Sequence, residues 1–176
     1  MDASVAQLLS ALRMAVRGPA PEAAVEAILA ELTQAPGTWA PVFAREVDSA
    51  DERGVALLCC DAELTVMHVD LEPGFSSRVH DHGLWAVIGV YEGQEDNTFY
   101  AVDGRRVTAT GEASAVAPGT LRMGARAVHH IDNPLSVRLR AVHVYGGDMR
   151  TVHRSSWNVA TGERTPEGGA ASSRGQ

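Results

Sequence analysis

The feature that most constrains the fold is a series of short strand-like segments that begins near residue 55. Runs such as VALLCC, ELTVMHVDL, WAVIGVYEG and SVRLRAVHVYGG are separated by Gly, Pro, Asp and Asn. Runs of this length and spacing are typical of an all-β barrel or sandwich, whereas βαβ units would need long helical segments between the strands. The sequence therefore predicts one mainly β domain over residues 37–160.

Two amphipathic segments precede the β region. Residues 3–16 and 22–34 each place their apolar side chains on one helical face. Pro21 stands just ahead of the second segment, where its missing N–H costs little. We expect two short N-terminal helices within residues 1–36, packed on the β domain. The tail, residues 161–176, is small, polar and Gly-rich, and we expect it to be disordered.

Composition and charge exclude several classes of function. The net charge of −7 argues against a nucleic-acid partner, because phosphate binding needs clustered Lys and Arg. No apolar stretch approaches the roughly 20 residues that span a bilayer, and the N-terminus lacks the basic start and cleavage site of a signal peptide. Cys59 and Cys60 are adjacent, so a disulfide between them would be strained. We expect two reduced thiols in a cytoplasmic protein.

The stretch SSRVHDHGLWAVIGVYEG carries two histidines, His80 and His82, at the start of a strand. In an extended segment residues i and i+2 share a face, so both imidazoles can point to one place inside a barrel. A pair of surface histidines on a turn is the alternative. A Pro-Gly turn before the pair and a buried strand after it favour the interior position. His68 stands alone in ELTVMHVDL and is expected to be an ordinary strand histidine.

A third histidine comes from APGTLRMGARAVHHIDNP, in which His129 and Asn133 have the spacing H-x-x-x-N. Residues 74–93 resemble the first sequence motif of the cupins, and residues 111–133 resemble the second. The resemblance implies a double-stranded β-helix, a jelly-roll barrel, with one metal ion inside it. By the same resemblance the metal ligands are His80, His82 and His129, and the adjacent His130 points the other way.

The chain departs from the usual first cupin motif at one position. A glutamate ligand normally follows the two histidines, but this chain has Trp85, Ala86 and Val87 there, and the nearest acids, Glu92 and Glu95, lie past the strand. We therefore expect three histidine ligands and no carboxylate. Three neutral imidazoles leave a divalent ion its full double charge, which suits an anionic ligand such as a thiolate. Zinc would also accept three histidines and a water, so the ligands alone leave iron and zinc open.

The runs HDHGLWAVIGVYEG, VHHIDN and AVHVYGG resemble the thiol dioxygenases, the cupin family of cysteine dioxygenase and 3-mercaptopropionate dioxygenase. The resemblance implies ferrous iron, Fe(II), that oxidises a small thiol with O2 to a sulfinic acid. In a Ser-x-His-x-Tyr arrangement of that family, Tyr145 matches the active-site phenol and His143 its partner, while Ala141 replaces the serine. The strand after His82 lacks the cysteine that crosslinks to the tyrosine in mammalian-type enzymes, which favours the uncrosslinked bacterial type.

A substrate carboxylate needs a cation, and a guanidinium offers it a planar fork. Arg154, nine residues after Tyr145, matches an arginine position of the mercaptopropionate enzymes. Arg45 matches the arginine that the cysteine enzymes use instead, although Arg53 competes for that match. Arg78, beside the histidine pair, is a third basic candidate. Trp85 is expected to be a wall residue.

Two other functions remain open at this point. One is a three-histidine cupin oxygenase that cleaves a carbon–carbon bond in a diketone or a similar substrate. The other is a non-catalytic cupin that binds a metal or small molecule. Within the thiol dioxygenases, cysteine, 3-mercaptopropionate, cysteamine and mercaptosuccinate are all candidate substrates.

Overall fold

The computed structural model describes residues 4–46 and 50–168, in which three helices are followed by eleven strands. The helices are α1 (Val5–Val16), α2 (Pro21–Thr33) and α3 (Pro36–Glu46). The two predicted helices are thus present. The third, α3, was missed because it contains Gly37 and Pro41, which disfavour a helix interior. It extends the helical region ten residues into the range predicted to belong to the β domain.

The strands form two antiparallel sheets. The strands are β1 (Val55–Cys60), β2 (Thr65–Leu71), β3 (Val79–Asp81), β4 (Ala86–Glu92), β5 (Gln94–Asp103), β6 (Arg106–Val116), β7 (Gly119–Met123), β8 (Val128–Asp132), β9 (Leu139–Tyr145), β10 (His153–Trp157) and β11 (Arg164–Gly168). The first sheet has the order β1-β2-β9-β4-β7, and the second has the order β11-β10-β3-β8-β5-β6. The chain crosses repeatedly between the sheets, which is the predicted jelly-roll arrangement.

The helices cover the outer face of the first sheet. Val25, Leu29 and Leu32 of α2 are buried in one apolar cluster with outward-facing residues of β2, β4 and β9. Gly89 of β4 permits this close packing, because a Cβ at that position would lie 2.9 Å from the Cβ of Leu29. Trp85 packs against the same cluster and lies directly over Gly146. Trp85 thus lines the face of the first sheet that the helices cover.

A second apolar cluster fills the space between the two sheets. Its members come from the alternate, inward-facing positions of β2, β4 and β9, and they include Leu71, Ile88, Leu139 and Ala141. Alternation of this kind follows from the period of two along a strand. The polar residues described below lie beside this cluster, between the two sheets.

The expectation of a disordered tail from residue 161 is wrong for part of that range. Arg164–Gly168 form β11, which pairs antiparallel with β10 and places Glu167 opposite Arg154. The segment is polar because it is an edge strand with little apolar surface to bury. Residues 169–176 lie outside the described residues.

Both cysteines are free, in agreement with the expectation of reduced thiols, and both lie on β1. In the described part of the chain no helix is long and apolar enough to cross a membrane.

Candidate metal centre

The structure brings together the three histidines that the sequence motifs predicted to be ligands. β3 pairs with β8 so that His80 lies directly opposite His129, and directly paired residues point to the same side of a sheet. His82 follows immediately after β3 and faces the same space. One nitrogen of each ring lies within 4.8 Å of the others. The three rings converge between the sheets.

The distance between two of the rings is that of ligands that share one ion. The Nε2 atoms of His82 and His129 are 2.9 Å apart. Two imidazole nitrogens about 2.0–2.1 Å from one ion and at right angles to each other would be roughly 3 Å apart. Without a proton or a cation between them, two such lone pairs would repel each other.

The outer nitrogens of two rings are held by oxygen acceptors. His80 Nδ1 donates to the backbone carbonyl of Arg78 at 2.8 Å, and His129 Nδ1 donates to Asn97 Oδ1 at 2.7 Å. These bonds fix the tautomer and leave each Nε2 with a free lone pair, as is usual for metal-ligating histidines. His82 Nδ1 is buried and has no hydrogen-bond partner among the described residues.

Burial keeps the three imidazoles neutral. It is the main cause that lowers the pKa of His80, of His82 and of His129, and the neighbouring histidines lower the pKa of His82 and His129 further. A neutral imidazole is the form that binds a metal. Three neutral nitrogen donors, with two tautomers fixed and one buried nitrogen unpartnered, therefore fit a divalent transition-metal ion.

The predicted tyrosine–histidine pair lies beside this group. His143 Nδ1 and the Tyr145 hydroxyl are 3.2 Å apart, and the Tyr145 ring centroid is 4.7 Å from that of His82. Both side chains are buried, and burial raises the pKa of Tyr145, with the charge of Glu95 adding to the effect. Tyr145 is therefore a neutral phenol that faces the histidine group.

A buried carboxylate lies next to this pair, on the strand that follows β4. Glu95 is fully buried on β5, and its Oε2 is 2.9 Å from His143 Nε2. Its Oε1 accepts a hydrogen bond from Asn97 Nδ2 at 3.1 Å. Glu95 does not belong to the group of possible metal ligands. In the described part of the chain that group contains three histidines and no carboxylate.

His130 points away from the centre, as its neighbouring position on β8 requires. Its Nδ1 bonds the Tyr100 hydroxyl at 3.0 Å, and its Nε2 lies 2.6 Å from Asp132 Oδ2. These partners lie on the outer face of the second sheet.

Arg154 is the one of the three candidate arginines that the described structure brings to the centre. β10 pairs with β3 so that Ser156 lies opposite His80, and Arg154 shares the face of Ser156 two residues away. Its positive charge lowers the pKa of His80 and His82, after burial and the nearer charged groups. Arg154 Nε is buried and has no hydrogen-bond partner among the described residues.

The other two arginines are placed elsewhere. Arg45 is exposed on α3, which packs on the outer face of the first sheet, away from the space between the sheets. The Arg78 side chain is exposed, and what Arg78 gives to the centre is its backbone carbonyl. Arg53, the competitor for the Arg45 match, is exposed and pairs with Asp51.

Sequence reasoning missed three residues of the centre, namely Glu95, Asn97 and Ser156. Glu95, Asn97 and Phe99 alternate along β5, and Phe99 lies opposite His129. The alternation in QEDNTFY indicates that these residues share a face. Polar residues in such a pattern are normally placed on the solvent side, so only the pairing with β8 reveals that this face points inward.

Comparisons with known proteins bear on the fold. No protein-family model matches the chain. Among similar solved structures is oxalate decarboxylase of Bacillus subtilis, a protein with Mn(II) centres, at a TM-score of 0.51 and 16% identity over 65% of this chain. The fold that the two proteins share is a cupin barrel. An oxalate oxidase matches 56% of the chain at 15% identity and a TM-score of 0.43, and Peruvianin-I, a cysteine peptidase from Thevetia peruviana latex, matches 60% at 13% and 0.46.

The cupin barrel is the part of the decarboxylase that the chain shares. The match spans 30% of the decarboxylase, 53% of the oxidase and 69% of Peruvianin-I. At 16% identity the similarity to the decarboxylase establishes the fold alone, and the chemistry has to be argued from the site itself.

Proposed function

We propose that this protein is a non-heme iron thiol dioxygenase that oxidises a small carboxylate-bearing thiol, similar to 3-mercaptopropionate or cysteine, to its sulfinic acid. One observation carries the proposal: a three-histidine group, a buried phenol and an arginine with an unused donor face the same space. The thiolate and both atoms of O2 form the sulfinate, so the sulfur is oxidised and O2 is reduced without a further reductant.

The ligand set favours an anionic sulfur substrate. A ferrous ion held by His80, His82 and His129 would supply an undiminished double charge, which lowers the pKa of a bound thiol, and open positions for oxygen chemistry. A ligand set with a carboxylate would reduce that charge. The protein's own contribution is to keep three imidazoles neutral and aimed at one point.

Arg154 supplies the second contact for the substrate. Its guanidinium can hold a carboxylate with two parallel hydrogen bonds, and a buried Nε without a partner gains more from such a ligand than a solvated one. The backbone of Arg154 lies two residues, about 7 Å, along β10 from the position opposite His80, which is within reach of an arginine side chain. The site thus suits a thiol and a carboxylate joined by a short chain.

Tyr145 supplies a hydroxyl beside the reacting sulfur and oxygen. Because burial raises its pKa, the phenol keeps its proton and acts as a hydrogen-bonding group. His143 holds the hydroxyl, and the apolar cluster behind the pair excludes water from this side of the site. A diketone-cleaving oxygenase would use the same ligands but has no evident need for Arg154.

The test is to purify the full chain, determine its metal, load it with ferrous iron and follow oxygen uptake with four thiols. 3-Mercaptopropionate, cysteine and mercaptosuccinate carry a carboxylate, whereas cysteamine does not and serves as the matched control. We expect uptake that depends on thiol and iron, fastest with a carboxylate-bearing thiol, and a product that gains both atoms of ¹⁸O2. Absence of uptake with every thiol would reject the proposal and leave a metal-binding cupin of another function.

A further inference from the structure

Glu95 is a fully buried carboxylate that no ligand or substrate role accounts for. It lies on the inward face of β5, and both of its oxygens have partners in the barrel. Oε1 accepts from Asn97 and Oε2 from His143, at 3.1 and 2.9 Å. A buried carboxylate is expensive to desolvate, so its two hydrogen bonds must be well formed to offset that cost.

On one side, Glu95 determines the orientation of a metal-ligating ring. An ionised carboxylate can only accept hydrogen bonds, so Asn97 must present its Nδ2 to Glu95 and its Oδ1 to His129. His129 then carries its proton on Nδ1, which donates to that oxygen at 2.7 Å. Its Nε2 lone pair is left facing the other two histidines.

On the other side, Glu95 determines the orientation of the phenol. Because Oε2 accepts from His143 Nε2, the opposite nitrogen, Nδ1, meets the Tyr145 hydroxyl at 3.2 Å. With a neutral ring, the hydroxyl proton is directed to that nitrogen. Ala141, two residues before His143 on the same inward face, has no polar group that could hold the ring.

We propose that Glu95 is a positioning residue that aligns both the metal-ligating His129, through Asn97, and the phenol of Tyr145, through His143. The hydrogen-bond chain runs His129–Asn97–Glu95–His143–Tyr145. Its consequence for turnover rests on the proposed function, whereas the orientation of the four partners does not. In this protein the carboxylate of Glu95 on β5 forms the hydrogen bond to the His143 ring that Ala141 on β9 cannot form.

Glu95→Gln tests the proposal with almost no change in volume. A primary amide has one acceptor oxygen where the carboxylate has two. The variant must therefore lose the hydrogen bond from Asn97 or the one from His143. The N–H protons of His129 Nδ1 and His143 Nε2 are observed by NMR in full-length, zinc-loaded protein labelled with ¹⁵N-histidine. We expect at least one of the two low-field resonances to be lost or to move to the other ring nitrogen.

Asp96→Asn is the matched control. It removes a neighbouring carboxylate on the opposite face of β5, where Asp96 accepts from Gln94 Nε2, and it should leave both resonances unchanged. Asn97→Ala provides a second test if Glu95→Gln fails to fold. It should remove the His129 resonance and keep that of His143. Wild-type resonances in a folded Glu95→Gln protein, or equal loss of both in Asn97→Ala, would overturn the proposal.

Two further measurements connect this positioning role to the metal and to turnover. Glu95→Gln should weaken Co(II) binding, measured by competition with a chelator, by about 10–100-fold, as is typical for partners of metal ligands. It should lower kcat for thiol oxidation by a similar factor with little change in KM, whereas Asp96→Asn changes neither. If the wild-type protein oxidises no thiol, the proposed function fails, and the NMR result still decides the role of Glu95.

Discussion

Two buried histidine–tyrosine pairs lie on opposite faces of the first sheet. His143 and Tyr145 of β9 face the barrel interior, with the ring nitrogen and the hydroxyl 3.2 Å apart. His68 of β2 and Tyr91 of β4 face the helices, and their ring nitrogen and hydroxyl are 2.7 Å apart. Judged by the hydrogen bond alone, the outer pair is the better formed.

The surroundings separate the two pairs. The inner pair continues to Glu95 and lies against His82, near a buried arginine donor without a partner among the described residues. The outer pair is packed under α3, where the Phe43 ring lies 4.5 Å from that of His68. A buried donor without a hydrogen-bond partner beside a polar pair indicates a binding site. A polar pair whose groups are all hydrogen-bonded and stacked indicates a structural role.

The largest expected difference between the two faces concerns metal binding. His129→Ala removes a ligand, and its affinity for iron or zinc should fall by more than about a hundredfold, since even a partner of a ligand is worth about 10–100-fold. His68→Gln should keep the wild-type affinity, because His68 lies on the other face of the sheet. Metal content after gel filtration and chelator competition measure both. Stoichiometric metal in a folded His129→Ala protein would contradict the assigned ligands.

The second largest expected difference is between the two tyrosines, one of which should affect turnover and the other stability. Tyr145→Phe should lower kcat for thiol oxidation by roughly a hundredfold, the low end of what one positioned hydrogen-bond donor contributes. Tyr91→Phe should leave kcat unchanged and lower the free energy of unfolding by about 1 kcal/mol, because His68 loses its partner. Steady-state kinetics and urea unfolding separate the two effects. Equal kcat for the two variants would remove the distinction between the pairs.

Arg154→Gln should change substrate binding on the inner face. Loss of a charged hydrogen bond of about 1.5–3 kcal/mol should raise KM for carboxylate-bearing thiols by about 10–100-fold, with a smaller effect on cysteamine. Arg164→Gln, an exposed arginine on β11 that bonds Ser155 Oγ, is the control. If Arg78→Gln or Arg45→Gln raised KM instead, the carboxylate anchor would have to be reassigned.

The last prediction concerns the outer pair alone and has no expected effect on metal binding or turnover. Burial lowers the pKa of His68 from 6.5 to about 4, so between these values the unfolded chain binds a proton that the folded protein does not. The free energy of unfolding should therefore fall as the pH drops through this window, by about 2 kcal/mol between pH 7 and pH 5.

His68→Gln should remove that component, which urea unfolding at the two pH values can measure. A wild-type protein and a His68→Gln variant with the same pH dependence would show that His68 is not buried in its neutral form.

Local patterns in the sequence, with the cupin resemblance that they carry, were enough to predict the barrel and the grouping of His80, His82 and His129. The alternation His80-x-His82 and the H-x-x-x-N spacing at His129 each depend on residues within one strand and its flanking turns. The period of two along a strand fixes which side chains share a face. The outward position of His130 follows from the same rule and was confirmed, and so was the jelly-roll arrangement that the cupin resemblance implied.

Other features depended on which strands become neighbours. Glu95 and Asn97 were not assigned to the centre from the sequence, because polar residues in a strand usually face water, and only the pairing of β5 with β8 turns that face inward. α3 forms despite Pro41 because Phe43 gains a buried, stacked position against His68 and Tyr91. The sequence alone determined which residues of a strand share a face. The tertiary structure decided what lies opposite each residue, because strand register is set by long-range packing that local spacing does not encode.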